Sequence, residues 1–189
     1  MSQHRHAAPE QGWLHFRIAS DKMVVTGRKW LDSHGRTHDT RHHGLFADGE
    51  LIWGRSRFHA RSGPWGNGAL PDGVYIVDPI HNQHGKQIHN KGMELDTKDK
   101  AGNRSHVAFK IPIAAEDKSV HRTALFIHPD GNVKGTQGCI GIVGADALHF
   151  WNLWEKCPRK QRPTRLLVSG GARAKHPIER WGSVKPGTE

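Results

Sequence analysis

The stretch Leu125–Ile142, LFIHPDGNVKGTQGCIGI, decides how this chain is read. An apolar run, Leu125–Ile127, delivers His128 to a short glycine-rich loop. Cys139 follows eleven residues after His128, and Ile140 and Ile142 return the chain to a core. Such a pattern predicts two strands whose ends meet at one end of a sheet. A thiol is a weak nucleophile until a base takes its proton, and an imidazole is the usual base near neutral pH. Gly135 and Gly138 let a substrate backbone come close to the sulfur. Either residue alone reads more simply, His128 as a strand-end histidine bonded to backbone and Cys139 as a small buried hydrophobe. Together they point to acyl transfer at Cys139 with His128 as base.

Working outward, the elements are mostly strands. WLHFRI from Trp13 and MVVTG from Met23 read as two short strands joined by a turn at Ala19–Ser20–Asp21. Residues 32–48 are polar and read as a loop, Leu51–Trp53 as a short strand, and 54–70 as a second glycine-rich loop. The turn signal Pro71–Asp72–Gly73 launches the β-branched run Val74–Val77. Residues 78–104 again read as loop. His106–Ile111, Thr123–His128, Cys139–Val143 and Arg165–Val168 read as strands. Ala145–Lys156 is the convincing helix: Leu148, Trp151 and Trp154 recur at helical spacing, and Asp146 stands in the first turn. Its aromatic residues are expected in the core. The fold class expected is mostly β, a β-rich α+β domain with one main helix after the cysteine. The domain spans 12–170, between an arm at 1–11 expected to be disordered and a basic tail at 171–189.

The 189 residues carry a formal charge of +10 and sixteen histidines. From Lys156 to Lys185 nine basic residues face the single acid Glu179, a surface suited to polyanions such as nucleic acid, lipopolysaccharide or murein. No apolar run is long enough to span a bilayer. MSQHRHAAPEQGW has no apolar core of a secretory signal, so synthesis in the cytoplasm is expected. The two cysteines, Cys139 and Cys157, do not make a disulfide framework. The histidines show no HExxH or comparable ligand spacing, so no metal and no cofactor is expected; His42–His43 and His81–His84 are pairs that could bind metal adventitiously.

Strand–His–loop–[Ser/Thr]-x-Gly-Cys–apolar resembles the signature of the L,D-transpeptidase catalytic domain, the YkuD-like fold. The matching pieces are FIH at Phe126–His128 and TQGCI at Thr136–Ile140, with LPDGVYIV at Leu70–Val77 similar to the family's lead-in to a core strand. The motif covers about fifteen residues, and the order of elements extends the likeness more loosely over Trp13–Ser169. The resemblance implies a YkuD-like β-sandwich or barrel acting on peptidoglycan stem peptides, with Cys139 as nucleophile and His128 as general base. Thr136, Gln137 and Gly138 carry over as oxyanion- or substrate-binding positions, and a backbone carbonyl is the group expected to orient His128. Three departures stand out: Gln137 replaces the usual histidine, Gly141 replaces an arginine or asparagine, and the His-to-Cys loop is short. The absent signal and compact loop resemble small antibacterial effectors and phage lytic enzymes that reach the periplasm or cell wall without one. The basic tail would hold such an enzyme on anionic wall or outer-membrane polymers. Three rival readings remain: a basic nucleic-acid-binding module, for which no signature is present, a zinc-dependent amidase, and a purely structural virion or wall-binding protein.

Overall fold

The computed structural model describes residues 12–26, 29–31, 33–39, 42–64, 68–77, 93–99, 101–131 and 135–171. Its strands are β1 (Leu14–Thr26), β2 (Lys29–Leu31), β3 (Thr37–Asp39), β4 (His42–Trp53), β5 (Ser56–Ser62), β6 (Gly73–Val77), β7 (Glu94–Lys98), β8 (Arg104–Ala108), β9 (Ile111–Ala115), β10 (Leu125–Pro129), β11 (Ile140–Ile142) and β12 (Arg165–Ser169). A single α-helix among the described residues, α1 (Ala145–Lys156), follows β11, and a 3₁₀ turn at Arg159–Gln161 precedes β12. Eight strands close into a barrel in the order β1-β12-β6-β9-β10-β11-β5-β4, while β2–β3 and β7–β8 form separate hairpins. The fold is mostly β with one helix, as the sequence predicts.

Alternation builds the barrel. Phe58 and Ala60 on β5, Leu125 and Ile127 on β10, Ile140 and Ile142 on β11, and Leu166 and Val168 on β12 fill its interior. α1 closes over the end of the barrel where β4 turns into β5. Phe150 meets Phe58 edge-on at 5.2 Å, Trp154 meets Trp53 at 5.6 Å, and Trp151 stacks on Phe109 at 4.8 Å. The buried stripe is Ala147, Phe150 and Trp154, with Leu148 and Trp151 only partly covered, so the helix is turned slightly from the face its spacing suggests. Asp146 pins its first turn to β5 by accepting the His59 backbone N–H at 2.7 Å. The same carboxylate complements the positive end of the helix dipole.

Several expected loops are strands. β1 runs unbroken through Ala19–Ser20–Asp21, because the chain inserts a β-bulge between Ile18 and Ser20 and does not turn there. The polar stretch 32–48 contains β3 and the first half of β4. There, pairing with β1 from Thr26↔His42 to Leu14↔Trp53 supplies the ladder that apolar alternation does not advertise. Gly54, at φ 58, turns β4 into β5, so the glycine-rich stretch 54–70 holds a buried barrel strand. β7 lies inside the expected loop 78–104, of which 78–92 falls outside the described residues. The run His106–Ile111 divides between β8, in its own hairpin, and β9, in the barrel. The arm at 1–11 and nearly all of the tail, 172–189, also lie outside the described residues. Five members of the basic stretch, Lys156, Arg159, Lys160, Arg162 and Arg165, belong to the domain itself. Arg162 is buried with its guanidinium over the Trp154 ring at 5.2 Å, and Arg165 pairs with Glu116.

The bulge in β1 packs closely on Gly49 of β4, the register partner of Ile18. A Cβ there would lie 2.1 Å from the Arg17 carbonyl oxygen. Backbone cannot yield as a side-chain tip can, so Gly49→Ala is expected to destabilise the protein by about 3 kcal/mol or more. Chemical denaturation of the variant beside wild type measures this, and a change within about 0.5 kcal/mol would contradict it.

Candidate active site

β10 and β11 are neighbours and run parallel, with Ile127 opposite Ile140 and His128 opposite Gly141. Ile127 and Ile140 face the barrel interior, so alternation places His128 and Cys139 on the outer face of two adjacent strands. Cys139, just before β11, comes level with Phe126, two residues back along β10 from His128. The pairing thus makes the thiol and the imidazole diagonal neighbours on one face. Both are buried, His128 with 3 % and Cys139 with 7 % of its surface exposed.

His128 Nδ1 lies 2.6 Å from the carbonyl oxygen of Pro129. With its proton donated there, the neutral ring carries its lone pair on Nε2, the tautomer a general base needs. Burial pulls the ring down from its ordinary 6.5 to about 4, and the bond to Pro129 only partly opposes this. Burial pushes the Cys139 thiol up, opposed by a hydrogen bond from the Phe126 backbone N–H to the sulfur. At rest the thiol and the imidazole are therefore each neutral. The thiol donates to the carbonyl of Ala124, 3.7 Å from Sγ. Ala124 is the one non-glycine residue among those described with positive φ, at 55°. That strained conformation shapes the backbone around the sulfur.

The turn that presents Cys139 is stitched by Thr136. Its hydroxyl donates to the Cys139 carbonyl at 2.6 Å and accepts from the backbone N–H groups of Gly63 at 3.1 Å and Gly138 at 3.3 Å. Its own N–H bonds the Gly63 carbonyl at 2.8 Å. The hydroxyl's full hydrogen-bonding capacity is used within the protein. Gly138, at φ 113, sits where a Cβ would be 3.2 Å from Arg122 Nη1 and 3.3 Å from the Gly68 carbonyl, so it is glycine for both shape and space. Arg122 in turn donates to the Ala69 carbonyl at 2.8 Å. Gln137 is exposed.

The structure thus brings Cys139, Thr136 and Gly138 into one turn, with His128 on the neighbouring strand and Gln137 exposed. The sequence did not reveal Ala124, Arg122 or Gly63, whose backbone and long-range contacts leave no local signature. Nor did it reveal Asp130, which accepts the Gly135 N–H at 2.7 Å. His121, equally near in sequence, is exposed. Among the described residues no group of three or more His, Cys, Asp or Glu side chains gathers to hold a metal, and no helix is long and apolar enough to cross a membrane. Both cysteines are free. The pairs His42–His43 and His81–His84 lie outside the side chains described. Comparison with models of protein families, with curated proteins and with solved structures finds no match to this chain.

Two consequences can be measured. The unfolded chain binds a proton at His128 more tightly than the folded one, so this residue's contribution to stability is complete above pH 6.5 and is lost as pH falls towards 4. The loss is on the order of 3 kcal/mol. Denaturation midpoints at pH 7, 5.5 and 4 should fall steeply for wild type and less so for His128→Gln; parallel declines would contradict the assignment. Thr136→Val keeps the shape but leaves three buried backbone groups without their partner. It should destabilise by about 2–4 kcal/mol, while Thr136→Ser stays within about 1 kcal/mol. Equal losses in the two variants would show that the hydroxyl is not what holds the turn.

Proposed function

We propose that this protein is a cysteine-dependent acyl-transfer enzyme acting on peptidoglycan stem peptides, with a YkuD-like, L,D-transpeptidase-type catalytic centre. The observation that carries the chemistry is the parallel register of β10 and β11, which sets Cys139 and His128 on one buried face with Nδ1 of the imidazole tied to a carbonyl. The substrate class comes from the resemblance of FIH and TQGCI to that family's motif. A mostly β barrel with its helix directly after the cysteine is consistent with it.

Proton transfer between a depressed imidazole and a raised thiol is uphill in the resting site. It becomes accessible when an electrophile accepts the sulfur's charge as that charge forms, so base action and attack go together. His128 Nε2 takes the Cys139 proton while Sγ attacks the carbonyl of the stem peptide's diamino acid at its bond to a D-residue. The carbonyl oxygen becomes an oxyanion. Backbone N–H groups of the turn are the donors at hand, and the long 3.3 Å bond from Gly138 to Thr136 is the one that such an oxygen could best displace. The tetrahedral adduct collapses, the imidazolium returns its proton to the departing amine, and a thioester remains on Cys139. Water then completes an L,D-carboxypeptidase or endopeptidase cycle, and an amine completes transpeptidation. The site's near-closure means that substrate must enter by displacing whatever covers the sulfur. A phage lytic enzyme or a secreted antibacterial effector, acting in the periplasm or cell wall, is the setting that fits a basic murein-active protein.

Purified peptidoglycan incubated with wild type, Cys139→Ala and His128→Ala and analysed by mass spectrometry tests this reading. Shortened or re-linked stem peptides should form with wild type, vanish with Cys139→Ala, and fall by about a hundredfold or more with His128→Ala. Product masses separate hydrolysis from transfer. Unchanged muropeptides with a folded wild type would overturn the substrate assignment.

A further inference from the structure

A second group of buried polar side chains shares the outer face of the same strands. Asp130 lies two residues beyond His128, one past the end of β10, and Arg61 on β5 is the cross-strand partner of Gly141 and of Asp48. Asp130 and Arg61 have only 4 % and 6 % of their surface exposed. Arg61 Nη1 is 3.4 Å from Asp130 Oδ2, its Nε is 3.9 Å from Asp48 Oδ1, and its guanidinium lies over the Phe46 ring at 5.4 Å. Asp48 also meets His59 Nε2 at 2.8 Å. The other Asp130 oxygen, Oδ1, accepts the backbone N–H of Gly135 at 2.7 Å.

This carboxylate reaches the turn because Gly141 has no side chain. A Cβ at Gly141 would stand 3.0 Å from Asp130 Cβ, 3.2 Å from Oδ1 and 3.2 Å from Thr136 Cγ2. The space beside the register partner of His128 is thus filled by Asp130 from one side and Thr136 from the other. Gly135 leads directly into Thr136, whose hydroxyl holds the Cys139 carbonyl. A short hydrogen bond to a carboxylate is charge-assisted and fixes direction as well as distance. Arg61 supplies the counter-charge that lets the carboxylate remain ionised when buried.

We propose that Asp130 is a positioning residue for the nucleophile: it anchors the Gly135 amide on one oxygen and Arg61 on the other, and so fixes the turn that presents Cys139 to His128. The proposal rests on the Cys139–His128 pairing but not on the identity of the substrate. It makes the acceptor oxygen, more than the charge, the element that matters. Asparagine at 130 keeps that oxygen and alanine does not.

The test is the pH–rate profile for alkylation of Cys139 by iodoacetamide, in a Cys157→Ser background so that one thiol reacts. Asp130→Asn should keep the wild-type profile, and Asp130→Ala should take on the profile of His128→Ala. On peptidoglycan the alanine variant should lose about a hundredfold in kcat with KM little changed, and the asparagine variant no more than about fivefold. Should Asp130→Ala fail to fold, Arg61→Met/Asp130→Leu removes both charges and the acceptor together, and it should fold with the shifted profile. A folded alanine or double variant that keeps the wild-type profile would overturn the proposal. So would an asparagine variant shifted as far as alanine, which would reduce Asp130 to a counter-ion for Arg61. A wild type inactive on murein leaves the alkylation result to decide by itself, so the two readings fail separately.

Discussion

The parallel pairing of β10 with β11 is the constraint on which the site depends. Parallel neighbours ordinarily need a long crossover, often a helix. Here they overlap by three register pairs, so the chain has only a short distance to travel back, and residues 130–139 suffice. The described part of this return, 130–131 and 135–139, holds no helix or strand. It is held instead by individual hydrogen bonds: Asp130 to Gly135, Thr136 to Gly63, Gly138 and Cys139, and the Asp130 N–H to the Ile142 carbonyl at 2.7 Å. β5 is the other wall. It pairs with β11, carries Arg61, leads to Gly63, and receives the first turn of α1 through His59. The aromatic packing of Phe150 and Trp154 therefore stabilises β5, the strand that pairs with β11 directly after Cys139.

Burial gives the pair its chemical character. A thiol and an imidazole in water-filled surroundings could form a standing thiolate–imidazolium pair. In a site this dry both charged forms are penalised, and each group moves toward its neutral state. The protein answers with oriented dipoles: the Pro129 carbonyl fixes the tautomer, the Phe126 N–H faces the sulfur, and the Ala124 carbonyl accepts the thiol's hydrogen bond at rest. Oriented dipoles stabilise a charge without needing to rearrange when it appears. A resting thiol of this kind is also sheltered from oxidation, since it is the exposed thiolate that reacts.

What the sequence made legible follows from what carries a local signal. α1 spans the residues its periodicity indicates, and β6, β10, β11 and β12 appear where short β-branched or apolar runs stand between turn residues. His128 and Cys139 could be paired because the strands bearing them are apolar and the loop between them is rich in glycine. Most of β4, beyond Leu51–Trp53, and all of β5 carry no such signal, for the opposite reason. Their inward positions include Ala60 and Ser62, their outward positions include the buried Arg61, and much of their support comes from pairing with a distant partner. The bulge at Ile18–Ser20 looked like a turn because Ser and Asp favour both. Asp130 stands near His128 in sequence, as His121 does, but nothing local favours either, since the partners of Asp130 come from β5 and from Gly135.

Gly141 shows how one residue can mean different things at the two levels. Against the motif it resembles, it is a missing arginine or asparagine and hence a lost contact. In the barrel it is a requirement, because Asp130 and Thr136 already occupy the volume that a side chain would need. Across the ladder from it stands Arg61, so a guanidinium is present on that face after all, delivered from the next strand and bound to carboxylates. A large side chain at 141 and a buried carboxylate at 130 exclude one another sterically. Of the two arrangements, this chain uses the one in which the buried Asp130–Arg61 pair lies against the turn that leads to Cys139.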